Sequence, residues 1–468
     1  MQTKDQHEEL FLFLWGISSL FQLFALSAYR SVVFGSTLGL VEFAIIAPAL
    51  WLTIKPSSRK AAFILLVLHC AAFVLRAPMI PSHRTTVFVT HVAMCAAWCS
   101  ILLSRKYTKG DWFLLFQSYA QPVVIAVYFF ACFHKLNEAF LSVAHSCASA
   151  FYLRFAAWFP LAINETWAAQ TAIYATLLVE GLLPVALLWK RTRFAAVLVA
   201  VLFHSILSAD YHQHTMDFSS IMFALLILFL SPQEIKAARS LFAEENGQIF
   251  TQRLKLILIS FFVGTFALGF LATTPEWALF YEAVKHGIWY SFAALVLFTL
   301  IRIWPNRSPA ALTSSGLKPA PSLYWAPLGV TLFIGILPYL GLHQRSSFDM
   351  YSNLKIIGNQ SNHLIWRTPL DPFGFTADLV QVHSSSIPEF SEGQSAVSQP
   401  GLALPYFEFQ SVVSRYPEAK VSYTRGGQRF EVSRIADEPS LATPPSWILR
   451  KLLWFRRVDL QGLGTCQW

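Results

Sequence analysis

Eleven stretches of apolar residues, each close to the length a helix needs to cross a bilayer, govern what this 468-residue chain can fold into. A bilayer core about 30 Å thick takes roughly 20 apolar helical residues. The stretches run near 10–29, 31–54, 61–79, 85–104, 112–134, 167–189, 193–209, 217–231, 255–275, 284–303 and 323–341. Charge is scarce: 13% of residues are Asp, Glu, Lys or Arg, against about 25% in a soluble domain. That balance excludes a disordered chain, a disulfide-stapled secreted module and an ordinary cytosolic enzyme. It predicts an α-helical polytopic membrane protein with about 11 transmembrane helices. The first stretch is not a cleavable signal, because Asp5, Glu8 and Glu9 flank it and no small-residue cleavage site follows.

Cytoplasmic loops accumulate Lys and Arg. With eleven alternating spans, the side holding the N-terminus collects seventeen cations, from Lys4 through Lys55, Arg59, Arg105 and Arg191 to Lys318. The other side holds six: Arg30, Arg76, Arg84, Lys135, Arg154 and Lys285. This predicts a cytoplasmic N-terminus and an extracytoplasmic C-terminus, in the periplasm or a lumen, with a bacterial inner membrane as the expected setting. It also accounts for the net charge of +9 without a nucleic-acid partner.

Composition changes after Gly341. The transmembrane part is expected over 1–341, a small β-rich extracytoplasmic domain over 342–445 and a basic amphipathic segment over 446–468. "FEFQSVV", "KVSYTR" and "QRFEVSR" alternate with period two and read as strands. "WILRKLLWFRRV", 447–458, reads as a helix, packed on the domain or lying on the membrane. Cys70, Cys95 and Cys99 read as small core residues, while Cys132 and Cys147 are a possible disulfide pair.

Ionisable groups at membrane depth mark sites or buried pairs. The candidates here are His69, His91, Glu180, His204 and the polar, non-ionisable run Gln117, Ser118 and Gln121, with His134, Lys135, His145 and His286 near span ends. Each histidine alone reads most simply as a helix–helix hydrogen bond. Lys135 closes an apolar span directly after His134, and burial favours the neutral amine that a general base needs. Glu180 lies mid-span, with Gly181 and Pro184 expected to loosen the helix around it. His204, Asp210, His212, His214 and Asp217 crowd one turn; a solvated turn is the simpler reading than a zinc or iron site. No metal-protease, serine-hydrolase, P-loop or dinucleotide motif is present.

"YFFACFHKLNEAF", 128–140, resembles the "YF-x-AG-x-x-KL" signature of the vitamin K-dependent gamma-carboxylase-like, or HTTM, membrane proteins. The acidic residue of "LLVEGLLPVALLW", then "KRTR", "LFHSIL" and "LFLSP", follow in the same order, and "FDMYSNL" and "SNHL" resemble the start of the family's outer domain. The resemblance spans roughly 10–380 and is densest over 125–232. It implies that Lys135 is the base that deprotonates a hydroquinone for reaction with dioxygen. It further implies His91, His134 and His204 as catalytic partners, and Glu180, Asn362 and His363 as substrate-facing groups.

The chain departs from the carboxylases at His134, where they carry a second lysine, and at Cys132, near their glycine. Its tail is short for a propeptide-binding domain. The chemistry that carries over is therefore oxygenation of a reduced quinone or phenol to an epoxide, with carboxylation by carbon dioxide as a further step. No bound cofactor or metal is expected. The expected partners are the bilayer and a lipophilic small molecule, with a protein substrate less favoured. The alternative is a non-catalytic lipid-binding or transport-related protein on the same scaffold. A metal-dependent hydroxylase is the third reading.

Overall fold

Length and charge decide which apolar stretches can span. In the computed structural model, residues 2–24, 36–158, 165–208, 215–242, 245–271, 274–306, 321–358, 360–391, 402–460, 462–463 and 466 are described. The helices are α1 (Gln2–Phe21), α2 (Thr37–Ala44), α3 (Ile46–Ile54), α4 (Arg59–Arg76), α5 (Ser82–Leu103), α6 (Trp112–Lys135), α7 (Glu138–Leu141) and α8 (Cys147–Trp158). They continue as α9 (Glu165–Leu188), α10 (Arg193–Leu207), α11 (Met216–Leu226), α12 (Pro232–Ser240), α13 (Glu245–Leu271), α14 (Pro275–Ile303) and α15 (Pro321–Ile336).

Six helical segments among the described residues are long and apolar enough to cross a membrane: Thr37–Ile54, Ser82–Leu103, Lys109–Lys135, Glu165–Leu188, Pro275–Ile303 and Leu323–Leu340. A bent pair, Met216–Phe229 with Pro232–Ser240 at 118°, makes a seventh if counted as one. The expected eleven spans are thus corrected, and the reasons are local. The first turns of α1 carry Lys4, Asp5, Glu8 and Glu9, and α4 carries Arg59, Lys60 and Arg76 within 18 residues. Helix α10 has 15 residues, about 22 Å of rise against the roughly 30 Å required. Without eleven alternating spans, the count of cations no longer assigns loops to sides. Lys285 is not a flank either, because α14 starts ten residues before it. It is buried, ion-paired with Glu282 and set over the Tyr281 ring. Helix α9 runs unbroken through Glu180, Gly181 and Pro184.

The chain divides into two compact units. The first comprises Met1–Arg76, Thr86–Phe129 and Leu178–Thr331. Its core is aromatic: Phe11, Trp15, Phe21, Phe113, Phe116, Phe223, Trp289 and Phe292 are buried. Gly16 lets α1 close on α3, since a Cβ there would stand 2.8 Å from the Ala49 carbonyl. A broken helix inside an apolar unit leaves carbonyls that must find donors. At the break after α11, Gln117 Nε2 and Gln121 Nε2 both donate to the Leu228 carbonyl, at 2.6 and 2.7 Å, and His7 Nε2 donates to that of Ile227 at 2.9 Å. Ser231 and Glu234 then form a capping box that restarts the chain as α12.

The second unit comprises Ala77–Thr85, Phe130–Leu177 and Leu332–Trp468. Its strands are β1 (Ile356–Ile357), β2 (Gln360–Ser361), β3 (Leu379–Ser385), β4 (Leu402–Pro405), β5 (Val421–Arg425), β6 (Gln428–Val432) and β7 (Val458–Asp459). Five of them form an antiparallel sheet in the order β6-β5-β3-β4-β7. Gly426 and Gly427, both at positive φ, make the two-residue turn between β5 and β6. "KVSYTR" and "QRFEVSR" are these strands, but "FEFQSVV" lies in a helix, α16 (Tyr406–Val413). There Phe409 and Val413, four residues apart, face the core with Val380, Phe390 and Val421. A run that short satisfies both periodicities, and packing decides. Among its described residues, the terminal segment is helical over α17 (Trp447–Leu452) and then turns extended, so that β7 pairs with β4. The disulfide joins Cys147 to Cys466, which corrects the pairing of Cys147 with Cys132.

Candidate functional site

The last turn of α6 and the residues after it form a polar corner of the second unit. A helix end leaves carbonyls without intrahelical donors, and Asn137 answers that need on both sides of the corner. Its side-chain oxygen accepts from the Phe140 N–H at 2.9 Å, capping α7. Its Nδ2 donates backward to the His134 carbonyl at 2.7 Å and outward to the Ser352 carbonyl at 2.6 Å. A bridge pairs Asn137 with His363, and the Glu138 N–H donates to the Asn362 carbonyl. "HKLN" and "SNHL", more than two hundred residues apart, are thus one structure.

His134 is fully buried. Its Nε2 donates to the Ser347 carbonyl at 3.0 Å, and its Nδ1 pairs with the Tyr339 hydroxyl, also at 3.0 Å. Both ring nitrogens of His134 are thus engaged in holding the corner. His363 does the same: Nε2 donates to the Phe133 carbonyl at 2.8 Å, and Nδ1 accepts from the N–H groups of Ile365 and Trp366. Burial pushes the His363 imidazole below its ordinary value, and the hydrogen bond to Phe133 opposes this. Asn362 donates to the Asn353 carbonyl and to Asn137 Oδ1 and accepts from the Lys355 N–H. These residues position the site.

Lys135 is buried, at 5% exposure, at the end of α6 in this corner. Its Nζ donates to the Ala131 carbonyl at 3.1 Å.

The backbone facing this corner is strained. Ser346, Phe348, Tyr351 and Asn353 have φ of 68°, 64°, 54° and 58°. For side chains of this size the left-handed region costs of order 1–3 kcal/mol each. Four such residues within eight persist because the segment is pinned on all sides. The pins are His134 to Ser347, Asn137 to Ser352, the Cys147 N–H to Asn353 Oδ1 at 3.0 Å, and an ion pair between Arg456 and buried Asp349. Strain of this kind concentrates at functional sites.

In the first unit, three helices contribute one buried polar group each. Tyr128 of α6 shares a 2.9 Å hydrogen bond with His204 Nε2 of α10, and Glu180 of α9 lies within electrostatic range of the Tyr128 hydroxyl. His91 of α5 packs edge-on to Trp15 and 5.5 Å from it, with His69 at 5.3 Å between ring centroids. Buried to 1% exposure, His91 has neither ring nitrogen hydrogen-bonded. Asp210, His212 and His214 lie outside the described residues. Among the described residues no group of three or more His, Cys, Asp or Glu side chains is placed to hold a metal ion.

The structure therefore gathers His134, Lys135, Asn362 and His363 in one unit and places His91, His204 and Glu180 in the other. Sequence reasoning missed Tyr128, Asn137 and Tyr339. Asn137 carried a signal, an N-cap residue just past a helix end. Comparison with family models, curated proteins and solved structures gave no match.

Proposed function

We propose that this chain is a membrane oxygenase of the vitamin K-dependent gamma-carboxylase-like, or HTTM, kind, in which Lys135 deprotonates a hydroquinone or phenol-type lipophilic substrate. The observation that carries the reading is a buried lysine at a polar corner where the two segments "HKLN" and "SNHL", on which the resemblance rests, are paired. Strained backbone beside it adds support. The amine takes a phenolic proton and the resulting anion reacts with dioxygen. One oxygen atom stays in the product as an epoxide and the other leaves as water, so hydroquinone and dioxygen give quinone epoxide and water. A greasy, water-poor setting protects such an anion. Carboxylation with carbon dioxide is a further step that the same base chemistry allows.

The Cys147–Cys466 disulfide favours an oxidising compartment for the second unit, in keeping with an extracytoplasmic C-terminus. A transport reading gains little from the break after α11, because Gln117, Gln121 and His7 close it. The test is aerobic turnover of a reduced naphthoquinone and a reduced benzoquinone by the purified protein. The expected result is a product heavier by one oxygen atom than the parent quinone from wild type and none from Lys135→Ala. Equal product from both would remove Lys135 from the chemistry. Equal binding of these quinones without any oxygenation would favour the lipid-binding reading.

A further inference from the structure

Away from Lys135, the second unit contains an open pocket whose lining includes Lys355, Arg456, Arg457, Asp459 and Gln344. Three cations and one carboxylate are an unusual lining for a chain with so little charge. Each arginine is held at one end. Arg456 pairs through Nη2 with Asp349, and its backbone N–H donates to Gln344 Oε1 at 3.2 Å. Arg457 donates through Nη2 to the Glu389 carbonyl, with its guanidinium 5.7 Å from the Phe390 ring centroid. Lys355 Nζ donates to the Gly462 carbonyl at 2.7 Å.

Both guanidinium groups have a donor left over. Arg456 Nε and Arg457 Nη1 are buried and have no hydrogen-bond partner. An unsatisfied buried donor costs about 1–3 kcal/mol, more when charged, and both of these belong to residues that line the pocket, which favours an acceptor there. A carboxylate ligand matches the fork of a single guanidinium. Here two guanidinium groups each have one unpartnered buried donor, and a phosphate has enough acceptor oxygens to serve both cations. Burial also lowers the proton affinity of Arg457 and Lys355, and an anion between them would offset that.

We propose that this pocket binds a phosphate group, either free or as a lipid headgroup, with Arg456 Nε and Arg457 Nη1 as donors and Lys355 as the third cation. The site is independent of the oxygenase reading.

The test titrates the full-length protein in detergent with inorganic phosphate and, separately, with dihexanoyl phosphatidic acid, by calorimetry. Arg456 is left intact because its pairing with Asp349 supports the fold. The variants are Arg457→Gln and Lys355→Gln, with Arg429→Gln, an exposed sheet residue, as control and a thermal midpoint to verify folding. The expected result is saturable binding of at least one probe, tenfold or more weaker in the two pocket variants and unchanged in the control. The tighter probe identifies the source, free phosphate or lipid headgroup. Saturation by neither probe, or equal affinity in all variants that fold, would overturn the proposal.

Discussion

Replacing Asn137 should damage the corner far more than its size suggests. Its side chain is fully buried and makes four hydrogen bonds, two as donor and two as acceptor. In Asn137→Ala the cap on α7 is lost, worth about 1 kcal/mol. The Ser352 and His134 carbonyls lose a donor in a buried place, at about 1–3 kcal/mol for each group left unsatisfied. Asn362 Nδ2 keeps the Asn353 carbonyl at 3.0 Å, so its loss is small. The sum is about 3–7 kcal/mol. Asn137→Asp separates the parts: it retains the oxygen that caps α7 but turns the donor into an oxygen facing two carbonyls. Equilibrium unfolding in mixed detergent micelles, followed by tryptophan fluorescence, should therefore rank Asp no better than Ala. If Asn137→Asp falls within about 0.5 kcal/mol of wild type, the two donated bonds do not hold the corner and the reasoning fails.

Gln117 and Gln121 donate to one carbonyl, so each should cover for the other. In the same unfolding assay, either Leu variant alone should cost under about 1 kcal/mol and the double variant clearly more than their sum. Two buried groups of the second unit should give opposite pH dependence. Burial raises the Glu408 carboxyl from 4.5 to about 7, so it opposes folding progressively as pH rises from 4.5 to 7; Glu408→Gln should relieve at most about 3 kcal/mol at the upper end. Burial lowers His343 from 6.5 to about 4, so stability is lost as pH falls through that window, and His343→Gln should flatten the acid side of the profile. Mass spectrometry of non-reduced proteolytic fragments should find Cys147 linked to Cys466, and Cys132 in no disulfide.

Helix positions were legible because apolar runs of helical length leave few alternatives: the predicted stretch 112–134 is α6 within two residues. Spanning was less legible, since Arg59, Lys60 and Arg76 leave α4 helical while raising the cost of lipid exposure. The strand pair around Gly426–Gly427 could be read from its turn, whereas α16 could not, because burial of Phe409 and Val413 depends on a sheet assembled from distant residues. At the candidate site, Lys135 stood out by chemistry. Tyr339 and Ser352 did not: their roles come from meeting His134 and Asn137 across more than two hundred residues. Gln117 and Gln121 looked like site residues and proved to be donors for a broken helix.

The most direct test of the central claim is turnover of a reduced naphthoquinone under ¹⁸O-labelled dioxygen, with wild type and Lys135→Ala side by side and thermal unfolding to verify that both fold. The account predicts one labelled oxygen atom in the wild-type epoxide and no epoxide from Lys135→Ala. A folded Lys135→Ala that forms labelled product at the wild-type rate, or a wild-type product whose added oxygen comes from water, would contradict it.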